Sequence, residues 1–203
     1  MNKHKLKRTL RVSKYIIYRE TLIDYKEHFW SFIGAFVGIG LIAYLQSKFL
    51  IDQENILLIG SFGASSVLIY GEIQSPLAQP RNLIGGHVIS AFIGVTMFKL
   101  FPDTMWLTAS LAVAFSIVLM QYTKTMHPPG GATALIAVIG TEKIKALGYL
   151  YVIAPVLTGT IILLLVALIF NNITPYRNYP AKRMTKRKLF KKLFKSYQQD
   201  LTV

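Results

Sequence analysis

Apolar residues in this chain gather in long runs that turn signals and charges interrupt only briefly. Six runs stand out: about Trp30 to Gln46, Ile56 to Gly71, Leu83 to Phe101, Met105 to Tyr122, Gly130 to Gly140 and Leu147 to Phe170. Crossing a bilayer core takes about 20 apolar residues of helix, because hydrocarbon offers unpaired backbone groups no partner. The pattern therefore predicts an all-α integral membrane protein with four long and two shorter hydrophobic helices. The second run is free of charge and favours six crossings. The fifth is too short to span comfortably, which leaves four crossings as the alternative.

Charge divides the chain into parts. Lys and Arg number eight in residues 1–28, nine in residues 171–203 and six between, so the net charge of +14 belongs mostly to the ends. This predicts a basic segment over 1–28, a transmembrane domain over 29–171 and a basic tail over 172–203. Positive residues beside spans are held on the cytoplasmic side. Both termini are accordingly expected in the cytoplasm, with anionic lipid headgroups as partners of the tails. A nucleic-acid partner is not expected, since no soluble folded module carries the basic patch. Within the tail, Leu189, Leu193, Tyr197 and Leu201 recur every four residues beside Phe190 and Phe194, with lysines opposite. That spacing predicts a basic amphipathic helix lying on the membrane surface. The N-terminus does not read as a cleavable signal or transit peptide. The absence of cysteine excludes disulfides, thiolate metal sites and a cysteine nucleophile.

The most informative stretch is Thr125-Met126-His127-Pro128-Pro129-Gly130-Gly131-Ala132-Thr133. Two prolines stop one helix, and a new one can begin near Gly131. The first N–H groups of such a helix lack intrahelical partners and carry the positive end of its dipole, which suits an anion. Gly130, Gly131 and Thr133 are candidate ligands on this ground, with His127 shaping or protonating the site. Gly60-Ser61-Phe62-Gly63-Ala64-Ser65-Ser66 offers small residues and hydroxyls of the same kind, making Gly63, Ser65 and Ser66 candidates for a facing half-site. Equally, such residues serve helix packing. Arg81, at the mouth of the third run, can attract an anion or face lipid phosphate. His87, one turn inside, reads as a packing histidine or as a pathway contact. No Asp or Glu lies well inside a long run, which points to an anionic substrate. Neither a catalytic set nor a metal-ligand cluster can be recognised, and no cofactor is expected.

The halves of the chain also resemble each other weakly. Gly63-Ala64-Ser65-Ser66-Val67-Leu68-Ile69 aligns with Gly131-Ala132-Thr133-Ala134-Leu135-Ile136-Ala137 at an offset of 68, and Trp30 and Gln46 pair with Trp106 and Gln121. Three segments per half would make two inverted repeats, whose interface is the usual place for a substrate. Recurrence of small residues in packed membrane helices is the other explanation.

Four phrases in order, Phe62-Gly63-Ala64-Ser65, Pro76-Leu77-Ala78-Gln79-Pro80-Arg81-Asn82, Gly85-Gly86-His87 and His127-Pro128-Pro129-Gly130-Gly131-Ala132-Thr133-Ala134, resemble the HPP family of integral membrane proteins over roughly residues 30 to 170. The resemblance implies about four transmembrane helices, rather than six. Plastid and cyanobacterial members of that family are associated with nitrite transport, so the resemblance also implies a carrier or channel for a small inorganic anion. The chain is then expected in a cell inner (cytoplasmic) membrane, as a homo-oligomer because its fold is small for a pore. Two rivals remain: an enzyme acting on lipid headgroups, with His127 as base and Arg81 gripping phosphate, and a membrane scaffold that transports nothing.

Overall fold

The computed structural model describes residues 25–49 and 56–181, and among these every regular element is helical. Helix α1 covers Tyr25–Phe49. Helix α2 (Gly60–Ser66) runs without a break into a wide π-helical turn, Val67–Gly71. A 3-10 turn at Pro76–Ala78 leads to α3 (Pro80–Leu100), which begins on a proline, the residue best suited to a first helical position. Helix α4 is Met105–Thr123, α5 is Pro129–Ile139 and α6 is the short Glu142–Ala146. A second wide turn, Val152–Leu157, precedes α7 (Thr158–Phe170).

Four stretches are long and apolar enough to cross a membrane: Tyr25–Lys48, Pro80–Leu100, Met105–Thr123 and Val152–Phe170. The second and fifth predicted runs are short helices instead. With 11 residues, α5 is about 16 Å long at 1.5 Å per residue, well below a bilayer core of about 30 Å. The first helix starts five residues before the predicted Trp30 and so takes in Lys26, Glu27 and His28. The sixth run is interrupted, since Ala154 leaves helical geometry (φ −131°, ψ 119°) immediately before Pro155. Large apolar side chains such as Phe32, Phe36, Phe115, Val118, Ile161 and Leu165 face outward, where a lipid environment costs them nothing.

Helix α3 is the most buried of the long helices and organises the others. Gly86, Ser90 and Gly94 recur every four residues and form one face of small side chains. Against that face lie Gly130, Ala134 and Ala137 of α5, so close that a Cβ on Gly94 would strike the Ala134 carbonyl and one on Gly130 would strike that of Gly86. In hydrocarbon, where lipid tails are as apolar as leucine, such backbone approach is a main source of helix association. A second close contact sets α7 against α2, where the Phe62 ring fills the space a side chain at Gly159 would need.

The segments alternate in direction, and one end of the bundle collects their termini. There Arg177, fully buried, reaches Glu27 at 2.6 Å, the Tyr70 carbonyl at 2.8 Å and Asn171 Oδ1 at 2.8 Å. Tyr179 donates to the Ala78 carbonyl at 2.6 Å, and Arg81 to that of Thr123 at 2.6 Å. The start of α1 and the stretch after α7 thus meet on one side. The basic tail read from residue 172 begins within this packed region, since Arg177 and Tyr179 are buried. The amphipathic pattern over 186–201 lies outside the described residues.

The α3–α5 contact yields a direct expectation. Gly94→Val should destabilise the protein by about 1 to 3 kcal/mol through overpacking. Gly60→Ala, at a position open for at least 4 Å, should change little. Thermal unfolding in detergent compares the two, and equal stability would show that the helices are not held at this distance.

Candidate functional site

Broken helices bring five polar side chains to one place. Ser61 and Ser65 stand one turn apart on α2 and share a face. His87 lies two turns into α3, His127 immediately precedes the Pro128-Pro129 break, and Thr133 is one turn into α5. All five are buried, none more than 1% exposed.

Ser65 stands at the centre. Its Oγ is 2.6 Å from His87 Nε2 and 2.9 Å from His127 Nε2. His87 Nδ1 lies 2.6 Å from Thr133 Oγ1, which is 2.9 Å from Ser61 Oγ. His127 Nδ1 lies 2.8 Å from the Leu77 carbonyl. The imidazole centroids are 5.0 Å apart, and the Phe62 ring meets His87 edge to face. Tyr151 donates to the Thr133 carbonyl at 3.0 Å, which fixes the backbone behind the hydroxyl.

Counting hydrogens orders the network. A carbonyl can only accept, so a neutral His127 carries its hydrogen on Nδ1 and offers a lone pair at Nε2. Ser65 must then donate to His127 and accept from His87, which makes His87 the Nε2–H tautomer. His87 Nδ1 in turn accepts from Thr133, whose hydroxyl also has Ser61 Oγ within reach as an acceptor. The hydrogens of Thr133, His87, Ser65 and His127 then point along one path toward Leu77.

The other predicted residues fall elsewhere. Gly131 projects about 200° around α5 from Thr133, and a Cβ there would meet only Val113 of α4. The expected free N–H groups of α5 are not free, because Gly130 donates to the His127 carbonyl at 2.8 Å and Gly131 to that of Pro128 at 3.0 Å. The dipole site foreseen at this helix start is thereby closed. Gly130 serves the α3 contact. Gly63 is exposed on the opposite side of α2 from Ser61 and Ser65. It borders a groove toward α1 together with Ser66, whose buried hydroxyl has no hydrogen-bond partner. Arg81 lines a cavity of about 690 Å³ at the end of the bundle with Gln74, Pro76, Gln79, Asn82 and Lys124. Pro76 and Gln79 border that mouth, while Leu77 between them holds His127. Ser61, Tyr151 and the Leu77 carbonyl were not foreseen; the four-residue spacing of Ser61 and Ser65 was the available signal for the first.

The sequence pattern of the HPP transmembrane region matches residues 20–180. Two transmembrane proteins of Dictyostelium discoideum are similar, one 43% identical over 165 residues and the other 44% identical over 160 residues. These matches take in 80% and 77% of this chain but 58% and 51% of the relatives, so the chain spans little more than half their length. No solved structure matches it.

The network itself is testable. Thr133→Val should leave His87 Nδ1 buried without its donor and cost about 1 to 3 kcal/mol, whereas Thr133→Ser should keep the bond. Denaturant unfolding in detergent checks this, and a valine variant as stable as the serine variant would contradict the assigned bond.

Proposed function

The chain belongs to the HPP family of transmembrane proteins, and we propose that it moves a small inorganic anion, most simply nitrite, across the membrane through the Ser65–His87–His127–Thr133 site. The observation that carries this reading is a cluster of five buried donors and acceptors whose side-chain hydrogen bonds include no carboxylate. A planar oxyanion can replace the internal partners of Ser65, Thr133 and the two imidazoles. A cation would meet only hydroxyl oxygens and ring nitrogens, with no negative charge. Neutral donors also attract weakly enough to let an ion leave. A permanent charge at the bilayer centre costs about 2.5 to 3.5 kcal/mol on insertion scales, which side chains of this kind avoid.

Two further features support transport. The offset of 68 residues that aligns the halves pairs Ser65 with Thr133, and these two residues hold the two ring nitrogens of His87. This is the arrangement expected of a site shared between inverted repeats. Arg81 and Lys124 at the mouth then act as an anion-attracting vestibule on the side of the bundle where both ends of the described chain lie. We place that side in the cytoplasm, with the protein an oligomer in a cell's inner membrane. The lipid-headgroup enzyme fits less well. It requires Arg81 beside His127, yet Arg81 donates to the Thr123 carbonyl while His127 is turned to Ser65 and Leu77.

Nitrite uptake into liposomes containing the purified protein tests the reading. Ser65→Ala and His127→Ala should each slow uptake about tenfold or more, the equivalent of at least one lost hydrogen bond at the barrier. Gly131→Ala, which adds a methyl toward α4 only, should transport normally. Unchanged rates in the folded Ser65 and His127 variants would put the pathway elsewhere, and sodium flux equal to nitrite flux would remove the anion assignment.

A further inference from the structure

We infer that each anion crosses together with one proton, that His127 Nε2 takes up this proton, and that the Ser65 hydroxyl is the switch that admits it. The inference rests on the anion-transport reading and adds its coupling. In the neutral network the hydrogens of Thr133, His87, Ser65 and His127 are already committed, so an added proton at either ring must displace one. At His127 Nε2 the displaced hydrogen is that of Ser65, and a second acceptor is waiting for it: the Ser61 carbonyl, 3.1 Å from Ser65 Oγ. Rotation of one hydroxyl therefore converts Ser65 from donor to acceptor. His127 then donates from both nitrogens, to Leu77 and to Ser65, and Ser65 still accepts from His87.

His127 differs from the other ring in its place, because the Leu77 carbonyl that holds it lies between Pro76 and Gln79, which line the mouth. A proton added to His87 Nδ1 would displace the hydrogen of Thr133, whose spare carbonyl, that of Pro129, is 3.4 Å away. Its other neighbour, Ser61 Oγ at 2.9 Å, also accepts from Thr133. The geometry thus separates two similar imidazoles into a proton acceptor, His127, and a relay fixed between two hydroxyls, His87.

Coupling follows from what surrounds the new charge. The groups that bond or pack on the two rings are Ser61, Phe62 and Ser65 from α2, the Leu77 carbonyl from the 3-10 turn, and Thr133 from α5, with the Tyr151 hydroxyl turned to the backbone behind Thr133. None is a carboxylate or a second cation. An imidazolium alone would be a buried charge without a counterion, and so would an anion alone. Together they form a neutral pair held by hydrogen bonds. The proton comes from water on the loading side and forms the Nε2–H bond of His127. On the far side that bond breaks, and the proton returns to water as the anion leaves. No electron changes hands.

The test uses the full chain in liposomes with a pH-sensitive dye trapped inside and potassium with valinomycin to set the voltage, protein-free liposomes serving to subtract passive nitrous acid entry. Nitrite uptake should acidify the interior by one proton per nitrite, at a rate independent of voltage. Ser65→Ala should lower the coupled rate about tenfold or more. Nitrogen-15 NMR of labelled histidine gives a readout that does not depend on flux. Without anion, His127 should be the Nδ1–H tautomer and His87 the Nε2–H tautomer; with saturating nitrite, His127 should be protonated on both nitrogens. Voltage-driven uptake without acidification, or a His127 that stays neutral with nitrite bound, would overturn the coupling and leave anion transport standing. Absence of both nitrite uptake and any nitrite-induced histidine shift would sink the transport reading, and the coupling with it.

Discussion

Backbone contact between α3 and α5 is the constraint from which the rest of the molecule follows. Gly86, Ser90 and Gly94 allow α5 to lie against α3 with almost no side chain between them. That approach sets Thr133 within 2.6 Å of His87, and the absence of a side chain at Gly86 leaves room for the main chain of Thr125 and the Cβ of His127. Because α5 is short and starts at a proline pair, it can enter the bundle beside α3 without having to cross it. The price is a loop, Lys124 to Pro128, inside a membrane domain. Its polar groups are answered by Asn82, which donates to the Met126 carbonyl, and by a left-handed Lys124 that closes α4.

The site uses this scaffold to combine strong hydrogen bonding with electrical neutrality. The Leu77 carbonyl, which can only accept, fixes the first hydrogen, and the rest follow in sequence through His127, Ser65, His87 and Thr133. A second cluster at the bundle end works differently. There a full charge is buried, and Arg177 is compensated by Glu27, Asn171 and the Tyr70 carbonyl. The contrast separates a structural clamp, in which a permanent charge joins the start of α1 to the stretch after α7, from a hydrogen-bonded cluster that holds no carboxylate.

Much of the architecture was legible because long apolar runs leave few alternatives, and the breaks were partly so. The prolines at 128 and 129 announced the start of α5, yet Pro155 also lay in plain sight within a run that read as continuous. Lys26, Glu27 and His28 looked like the end of a basic segment because the residue that holds Glu27 inside the fold is 150 positions away. The phrases around Ser65, His87, His127 and Thr133 named residues that the fold brings together, whereas their meeting around one serine and one imidazole is a tertiary fact. The exclusion of Gly131 and Gly63 was available from helical geometry alone, since residues two apart point to nearly opposite sides. The capture of the first N–H groups of α5 was not, because it depends on how the loop before it turns.

The proposed anion site lies between the two imidazoles and Ser65. A crystal structure grown with bromide, a monovalent anion standing in for nitrite, tests it through the anomalous signal of that ion. The account predicts a peak within hydrogen-bonding reach of Ser65 Oγ and His127 Nε2; a peak confined to the Arg81 and Lys124 mouth, or no peak inside the bundle at all, would contradict it.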